Sequence, residues 1–135
     1  MRREFILPED DICFLDSLGL TWETHIESNS QWLIIFGVSL PKGFNVESAN
    51  VAINVPPGYP VTQLDMAFFF PILNRVDNVA INATSHHQQI NSTTWQRWSR
   101  HRPPNHPWIP GVDFIGTHFL YINNWLEKEV HGINT

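Results

Sequence analysis

The chain has 135 residues, of which 42% are hydrophobic and 16% are charged, and its formal net charge is -5. This composition is too apolar for a disordered chain, and the length is typical of one domain, so we expect a single domain over residues 1–135. Only 8 residues are Lys or Arg, against 13 Asp and Glu. A general polyanion-binding protein is therefore not expected, because it needs a basic surface.

The single cysteine, Cys13, excludes an intramolecular disulfide and zinc sites built from several cysteines, which fits a reducing compartment. Acidic residues interrupt the N-terminal stretch, so it has no apolar signal-peptide core. No run in the sequence approaches the ~20 apolar residues of a membrane span. We therefore expect a cytoplasmic protein that does not act at a membrane.

The first predicted element is a short helix in the stretch LPEDDICFLDSLG. Pro8 is typical of a first helical position, acidic residues fill the first turn, and Gly19 ends the helix. At 100° per residue, Cys13 lies nearly opposite the apolar side of this helix, which is formed by Ile12, Phe14, Leu15 and Leu18.

Four runs with the composition of strands follow, with PKGFN and PPGYP as the Pro/Gly turns between the later ones. These runs are HIESNS, QWLIIFGVSLP, SANVAINVP and DMAFFFPIL. Because no helical pattern lies between them, they predict an antiparallel meander of about four strands.

From Asn74 to Pro110 no periodicity is visible, and a segment this long without regular structure usually carries function or contains short elements. The segment includes the acid-free motif WQRWSRHRPPNHPW, Trp95–Trp108. After it, VDFIGTHFLYINNWLEKEV is predicted to form a helix that packs on the sheet, with Asp113 as its cap. Its apolar face consists of Ile115, Phe119, Ile122 and Leu126. The order of elements predicts an α+β fold.

Three stretches resemble the ubiquitin-conjugating (UBC) superfamily. VAINVPPGYPVTQLDMAFFFP resembles its third-strand region, HHQQINSTTW is similar to the stretch before its catalytic cysteine, and PWIPGVDFIGTHFLYI resembles its Trp-x-Pro and the helix after it. The motif WQRWSRHR makes the chain most similar to one branch of this superfamily, prokaryotic UBC-like family E. The resemblance covers roughly residues 5 to 130. The resemblance implies a UBC-like fold with a first helix, a four-stranded meander, a long active-site segment and a closing helix.

The sequence departs from the family at the active site. If Asn91-Ser92 matches the family's Asn-Gly pair, the catalytic cysteine falls near Trp95, and His86, His87 and Asn91 belong to the flanking motif. The family carries its modifier as a thioester, which requires a thiolate at this position. The chain has no cysteine after residue 13.

We therefore expect a UBC-fold protein of a bacterial ubiquitin-like modification system that acts as a non-catalytic binding or adaptor module. The resemblance implies three partners, a ubiquitin-like modifier, a ThiF-type activating enzyme and a metal-dependent deconjugating peptidase, and it implies no cofactor. Arginine and tryptophan are typical of binding hot spots. The residues predicted to contact partners are Arg97, Trp98, Arg100, His101 and Arg102.

Four alternatives stay open at this stage. The chain is an active transferase if Cys13 serves as nucleophile, or if a histidine oriented by Asp113 activates a hydroxyl group of Ser92, Thr93, Thr94 or Ser99. Zinc binding would draw its ligands from His86, His87, His101, His106 and His118, although their spacing matches no metal motif and we expect no metal. Stacking of single-stranded nucleic acid on the Trp and Arg side chains is opposed by the acidic charge, and no nucleic acid is expected. The same side chains are also suited to cation–π and carboxylate pairing within the fold.

Overall fold

The structure, a computed structural model, describes residues 1–131, and the final four residues of the predicted domain lie outside the described part. The described elements are α1 (Glu9–Ser17), β1 (Trp22–Glu27), β2 (Ser30–Ser39), β3 (Ser48–Val55), β4 (Ala67–Phe70), β5 (His87–Ile90), β6 (Thr93–Trp98) and α2 (Ile115–His131). The strands form one antiparallel sheet in the order β1-β2-β3-β4-β6-β5. The predicted α+β class is confirmed, with a helix at each end of the described chain.

The central strands are buried on both faces, which explains their nearly continuous apolar sequence. The inner face packs against both helices and includes Leu33, Ile35, Val51, Ile53, Phe69 and Trp98. Alternate residues point to the outer face, where a second, smaller core contains Trp32, Ile34, Ala52, Phe68, Ile90 and Trp95.

The helices agree closely with the predicted ones. The four residues predicted as the apolar face of α2, from Ile115 to Leu126, are buried in the main core, and Cys13 is exposed on α1 as predicted. The prediction that Asp113 caps α2 is wrong, because its carboxylate accepts a hydrogen bond from the backbone N–H of Ile109 (2.7 Å). The first N–H of α2 donates instead to Asp11 (3.2 Å) and to the hydroxyl of Tyr59 (3.0 Å).

The prediction of about four strands was wrong, because the segment expected to be irregular contains the hairpin of β5 and β6. Its turn consists of Asn91 and Ser92, both in the left-handed region with φ of 55° and 65°. β5 shows no apolar alternation because its first three residues are exposed, and β6 shows none because Trp95 and Trp98 point to opposite faces. The segment is irregular on both sides of this hairpin, over residues 71–86 and 99–114.

The two edges of the sheet come close together at one end. β1 and β5 are the outermost strands, yet the backbone N–H of Asn91 donates to the carboxylate of Glu27 on β1 (2.8 Å). The sheet therefore curls around the second core. Neither helix in residues 1–131 combines the length and apolar character needed to cross a bilayer.

Candidate functional site

Trp95, near which the family resemblance places the catalytic cysteine, lies inside the second core. Trp95 is 4% exposed, its indole N–H donates to the carbonyl of Ile90 (3.3 Å), and its ring contacts that of Phe70 with 5.8 Å between centroids. The neighbouring hydroxyls bond within the hairpin: Thr93 donates to the carbonyl of Asn91 (3.4 Å), and Thr94 accepts from a glutamine side chain (2.5 Å). The side chain at position 95 is thus an enclosed indole, and the hydroxyls of Thr93 and Thr94 form hydrogen bonds within the hairpin.

Cys13 is on the other side of the molecule. It is exposed on α1, and α1 packs with α2 against the inner face of the sheet. Trp95 points to the outer face. The sheet therefore separates the single thiol from the position at which the family resemblance expects one.

Trp98, predicted to contact a partner, is instead fully buried in the main core. The alternation of β6 directs it toward the helices, where its ring packs at 5.1 Å from Phe69 and 6.1 Å from Phe44 between centroids. Its indole N–H donates to the side-chain oxygen of Gln96 (2.9 Å), and Gln96 exchanges two hydrogen bonds of 3.0 Å with the backbone of Leu73. This side chain holds the fold together and is not on the surface.

Arg102 is also enclosed by the fold. Its side chain is 9% exposed, and its guanidinium pairs with Asp113 (3.3 Å) and donates to the carbonyl of His106 (3.0 Å). The guanidinium carbon also lies over the rings of Tyr121 (4.5 Å) and Trp108 (5.5 Å). The alternative of cation–π and carboxylate pairing within the fold is thus the one observed for Arg102.

Arg100 is tied to the fold in a similar way. Its guanidinium lies over Trp98 (4.9 Å), donates to the carbonyl of Asn82 (2.9 Å) and approaches Glu129 on α2 (3.6 Å). Glu129 also pairs with Arg75 (3.0 Å). Burial lowers the pKa of Arg100, and the nearby carboxylate of Glu129 opposes that change.

His101 is the most exposed of the residues predicted to contact partners. Its side chain is 62% exposed, and its Nδ1 lies 2.9 and 3.0 Å from the two carboxylate oxygens of Asp65. The imidazole lines two adjoining surface cavities of about 510 and 650 Å³, together with Trp125 and Lys128. Asp65 could not be identified as the partner of His101 from the sequence, because the two residues are 36 positions apart and no spacing pattern links them.

Arg97 has no acidic partner among the described residues. It lies on the outer face of β6, where it pairs with Phe68 on β4, and its backbone N–H donates to the carbonyl of His86 (3.0 Å). Within residues 1–131 no carboxylate lies within ion-pairing distance of its guanidinium, and its buried Nε has no hydrogen-bond partner. The cation is therefore not used by the fold.

The histidines do not converge on a metal site. His86 and His87 are exposed at the start of β5, while His118 is buried in α2, where its Nε2 bonds to the carbonyl of Met66 (2.8 Å). Burial lowers the pKa of His118. In the part of the chain that the structure describes, no three metal-ligating side chains are grouped.

Comparison with protein families gives a match over most of the chain. The family model described as Prokaryotic E2 family E matches residues 7–129. Neither the curated proteins nor the solved structures contain a match to this chain. Because E2 denotes the ubiquitin-conjugating enzymes, the match confirms the resemblance noted in the sequence and supports a UBC-like protein of a ubiquitin-like system. The chain belongs to prokaryotic E2 family E.

Proposed function

We propose that this protein is a binding or adaptor module of a bacterial ubiquitin-like modification system and forms no covalent bond with the modifier. The observation that carries the proposal is the burial of Trp95 at the position assigned to the catalytic cysteine. A nucleophile must approach the carbonyl carbon to within about 3.5 Å in an aligned geometry. A side chain enclosed in the second core offers no such approach.

The proposed partners are a ubiquitin-like modifier and a ThiF-type activating enzyme, and a metal-dependent deconjugating peptidase is a further partner from the same system. Two side chains of the WQRWSRHR motif support a binding role. The guanidinium of Arg97 has no ion-pair partner in residues 1–131, and the imidazole of His101 is largely exposed beside two cavities. Arginine is enriched at the centres of protein interfaces, which fits this role.

The binding role is tested by calorimetry, in which the protein is titrated with the modifier and with the activating enzyme that are encoded beside its gene. We expect saturable binding to at least one of them. In parallel, the protein is incubated with both partners and ATP, and its intact mass is measured. We expect no mass increase equal to the modifier. Absence of binding to both partners would overturn the adaptor role, and an adduct would overturn its non-catalytic nature.

A second candidate is a transferase that uses Cys13, and the exposure of this thiol on α1 favours it. The matched variant is Cys13→Ser, which preserves the size of the side chain on the helix surface. An adduct that is present in the wild type and absent in this variant would establish Cys13 as the nucleophile. An adduct that persists in the variant would instead point to the hydroxyl group of Ser92, Thr93, Thr94 or Ser99.

A further inference from the structure

β5 presents unpaired backbone groups along one edge of the sheet. The N–H of Arg97 on β6 bonds to the carbonyl of His86, and bonded pairs alternate along an antiparallel ladder. The bonded residues of β5 are therefore Gln88 and Ile90, whereas the N–H and C=O groups of His87 and Gln89 point away from β6. Because β5 is the last strand of the sheet, no neighbouring strand in residues 1–131 pairs with these outward groups, and the C=O of Gln89 accepts a hydrogen bond from the side-chain amide of Gln88 (3.2 Å).

The opposite edge is protected along its middle, whereas the contacts that cover the edge at β5 are confined to the turn after it, where Asn91 bonds to Glu27 (2.8 Å) and to Arg2 (3.3 Å). Along β1, Thr24 exchanges backbone hydrogen bonds with the N-terminal segment: its N–H donates to Arg2 (3.1 Å), and its C=O accepts from Glu4 (3.0 Å). Charged side chains also surround β1, where His25 lies between the carboxylates of Glu4 (3.0 Å) and Glu27 (2.8 Å). β5 has the sequence HQQI, without Lys, Pro or any acidic residue. Proteins normally use charge, proline or a covering segment to prevent pairing at such an edge.

The hairpin also has unmatched positive charge. From Asn78 to Val112 the chain contains no acidic side chain. Three basic residues of this stretch find carboxylates elsewhere, since Arg100 approaches Glu129, His101 pairs with Asp65, and Arg102 pairs with Asp113. Arg97 has no such partner among residues 1–131, and it lies on the outer face beside His86.

We propose that the free edge of β5 binds an extended, acidic segment of a partner protein by strand addition. This proposal rests on the binding function above and specifies how the partner is held. Backbone hydrogen bonds to His87 and Gln89 supply the affinity, and pairing of a carboxylate with Arg97 supplies the selectivity. A second copy of this chain is a poorer occupant, because β5 itself carries no carboxylate for Arg97.

The distances are compatible with this pairing. Neighbouring strands are about 4.8 Å apart, so a residue opposite His86 on the added strand lies about 10 Å from β6. An arginine and a glutamate side chain together cover this separation. The acidic residue is therefore expected on the outer face of the added strand, next to His86.

The test uses the full, ¹⁵N-labelled chain and a synthetic acidic strand peptide, acetyl-Thr-Glu-Val-Glu-Val-Thr-amide, followed by NMR. We expect the largest amide shifts at His87 and Gln89. The control peptide has lysine in place of both glutamates, and we expect it to bind at least fivefold more weakly. Equal binding of the two peptides, or shifts located away from β5, would overturn the proposal.

Three variants give the test its specificity. Gln89→Pro removes one outward N–H and leaves the ladder to β6 intact, so we expect peptide binding to be lost with the fold preserved. Arg97→Gln is expected to weaken binding of the acidic peptide about fivefold, an ordinary effect for one exposed ion pair. Lys42→Gln removes an exposed cation between β2 and β3, outside the hairpin and the cavities beside His101, and should leave binding unchanged. An effect of Lys42→Gln equal to that of Arg97→Gln would contradict the proposal.

Two outcomes separate this inference from the proposed function. If the modifier or the activating enzyme binds wild type and Gln89→Pro equally, the edge proposal fails while the binding function stands. If β5 amides shift with protein concentration in the absence of peptide, the edge pairs with a second copy, and the proposed occupant is wrong.

Discussion

Residues 95–98 and residues 99–108 are consecutive parts of one segment, but different interactions fix them in place. The first part is β6, which is paired on both sides by β4 and β5 and places Trp95 and Trp98 in separate cores. The second part has no strand or helix; the enclosed guanidinium of Arg102 lies over its Trp108 and joins it to Asp113 and to Tyr121 on α2. We refer to these two parts as the strand part and the crossing part.

The comparison shows how a chain without a backbone ladder is held in one conformation. In the strand part, burial of large rings and ladder hydrogen bonds are sufficient, and a charged side chain such as Arg97 stays unused. In the crossing part, arginine side chains replace the ladder, and Arg102 does so through a carboxylate, a carbonyl and two rings. The strand part should therefore be sensitive to loss of volume, and the crossing part to loss of charge.

The largest expected effect is that of Trp98→Ala in the strand part. Trp98 is fully buried, and truncation of such a ring typically lowers the free energy of unfolding by about 4 kcal/mol. Urea denaturation measures this loss. The control is Trp108→Ala in the crossing part, where the ring is half-buried, and we expect less than half the effect. An equal loss in both variants would contradict the assignment of Trp98 as the main anchor.

Arg102→Met should lower the free energy of unfolding by about 3 kcal/mol, because it leaves the carboxylate of Asp113 buried without its cation. The double variant with Asp113→Asn should recover part of this loss. Amide exchange gives a local test, since the N–H of Ile109 donates to Asp113 and should exchange faster in Arg102→Met. If the exchange of β6 amides became faster by the same factor as that of Ile109, the strand part and the crossing part would not be held independently.

The sequence predicted the elements whose burial has a regular period. The apolar face of α2 was correct residue by residue, and three of the runs of strand composition correspond to β2, β3 and β4, whereas the first run, HIESNS, includes only the second half of β1 and the turn after it. The hairpin was missed because its turn is Asn91-Ser92, without the glycine that usually marks a two-residue turn. β5 also lies at an exposed edge and has no apolar face to reveal it.

The candidate site was only partly predictable, because a sequence does not show which charges are already paired. The WQRWSRHR motif did contain Arg97 and His101. It gave no means of distinguishing them from Arg102, whose partner Asp113 and covering ring Tyr121 are distant in the sequence. Exposure depends on such long-range pairing, so the motif alone overestimated the binding surface.

A pH titration distinguishes the two parts through His118, which lies beside the crossing part. Burial lowers the pKa of His118 in the folded protein, so the unfolded chain binds more protons below the ordinary histidine value of about 6.5. Stability from this group is therefore present above that pH and is lost as the pH falls below it. His118→Gln should remove this loss, and the other histidines cancel when wild type and variant are compared between pH 7.5 and 5.5.

The loss of stability at low pH should begin in the part of the fold that surrounds His118. His118 contacts the ring of Trp125 on α2, near Arg102 of the crossing part. Amide exchange at pH 5.5 should therefore increase first in the crossing part and α2. An increase that began in β6, or an unchanged pH dependence in His118→Gln, would show that another group dominates.

The smallest expected effect is that of Arg97→Gln on stability, within about 0.5 kcal/mol of wild type. No carboxylate among the described residues loses its partner in this variant. The substitution also removes a buried Nε that has no hydrogen bond, so the free energy of unfolding should change only slightly, in either direction. Thermal unfolding measures the difference. A loss above 1 kcal/mol would mean that the fold itself uses this guanidinium, and Arg97 would then resemble Arg102. If stability is unchanged and the acidic peptide binds more weakly, the guanidinium of Arg97 serves to bind the partner and not to stabilise the fold.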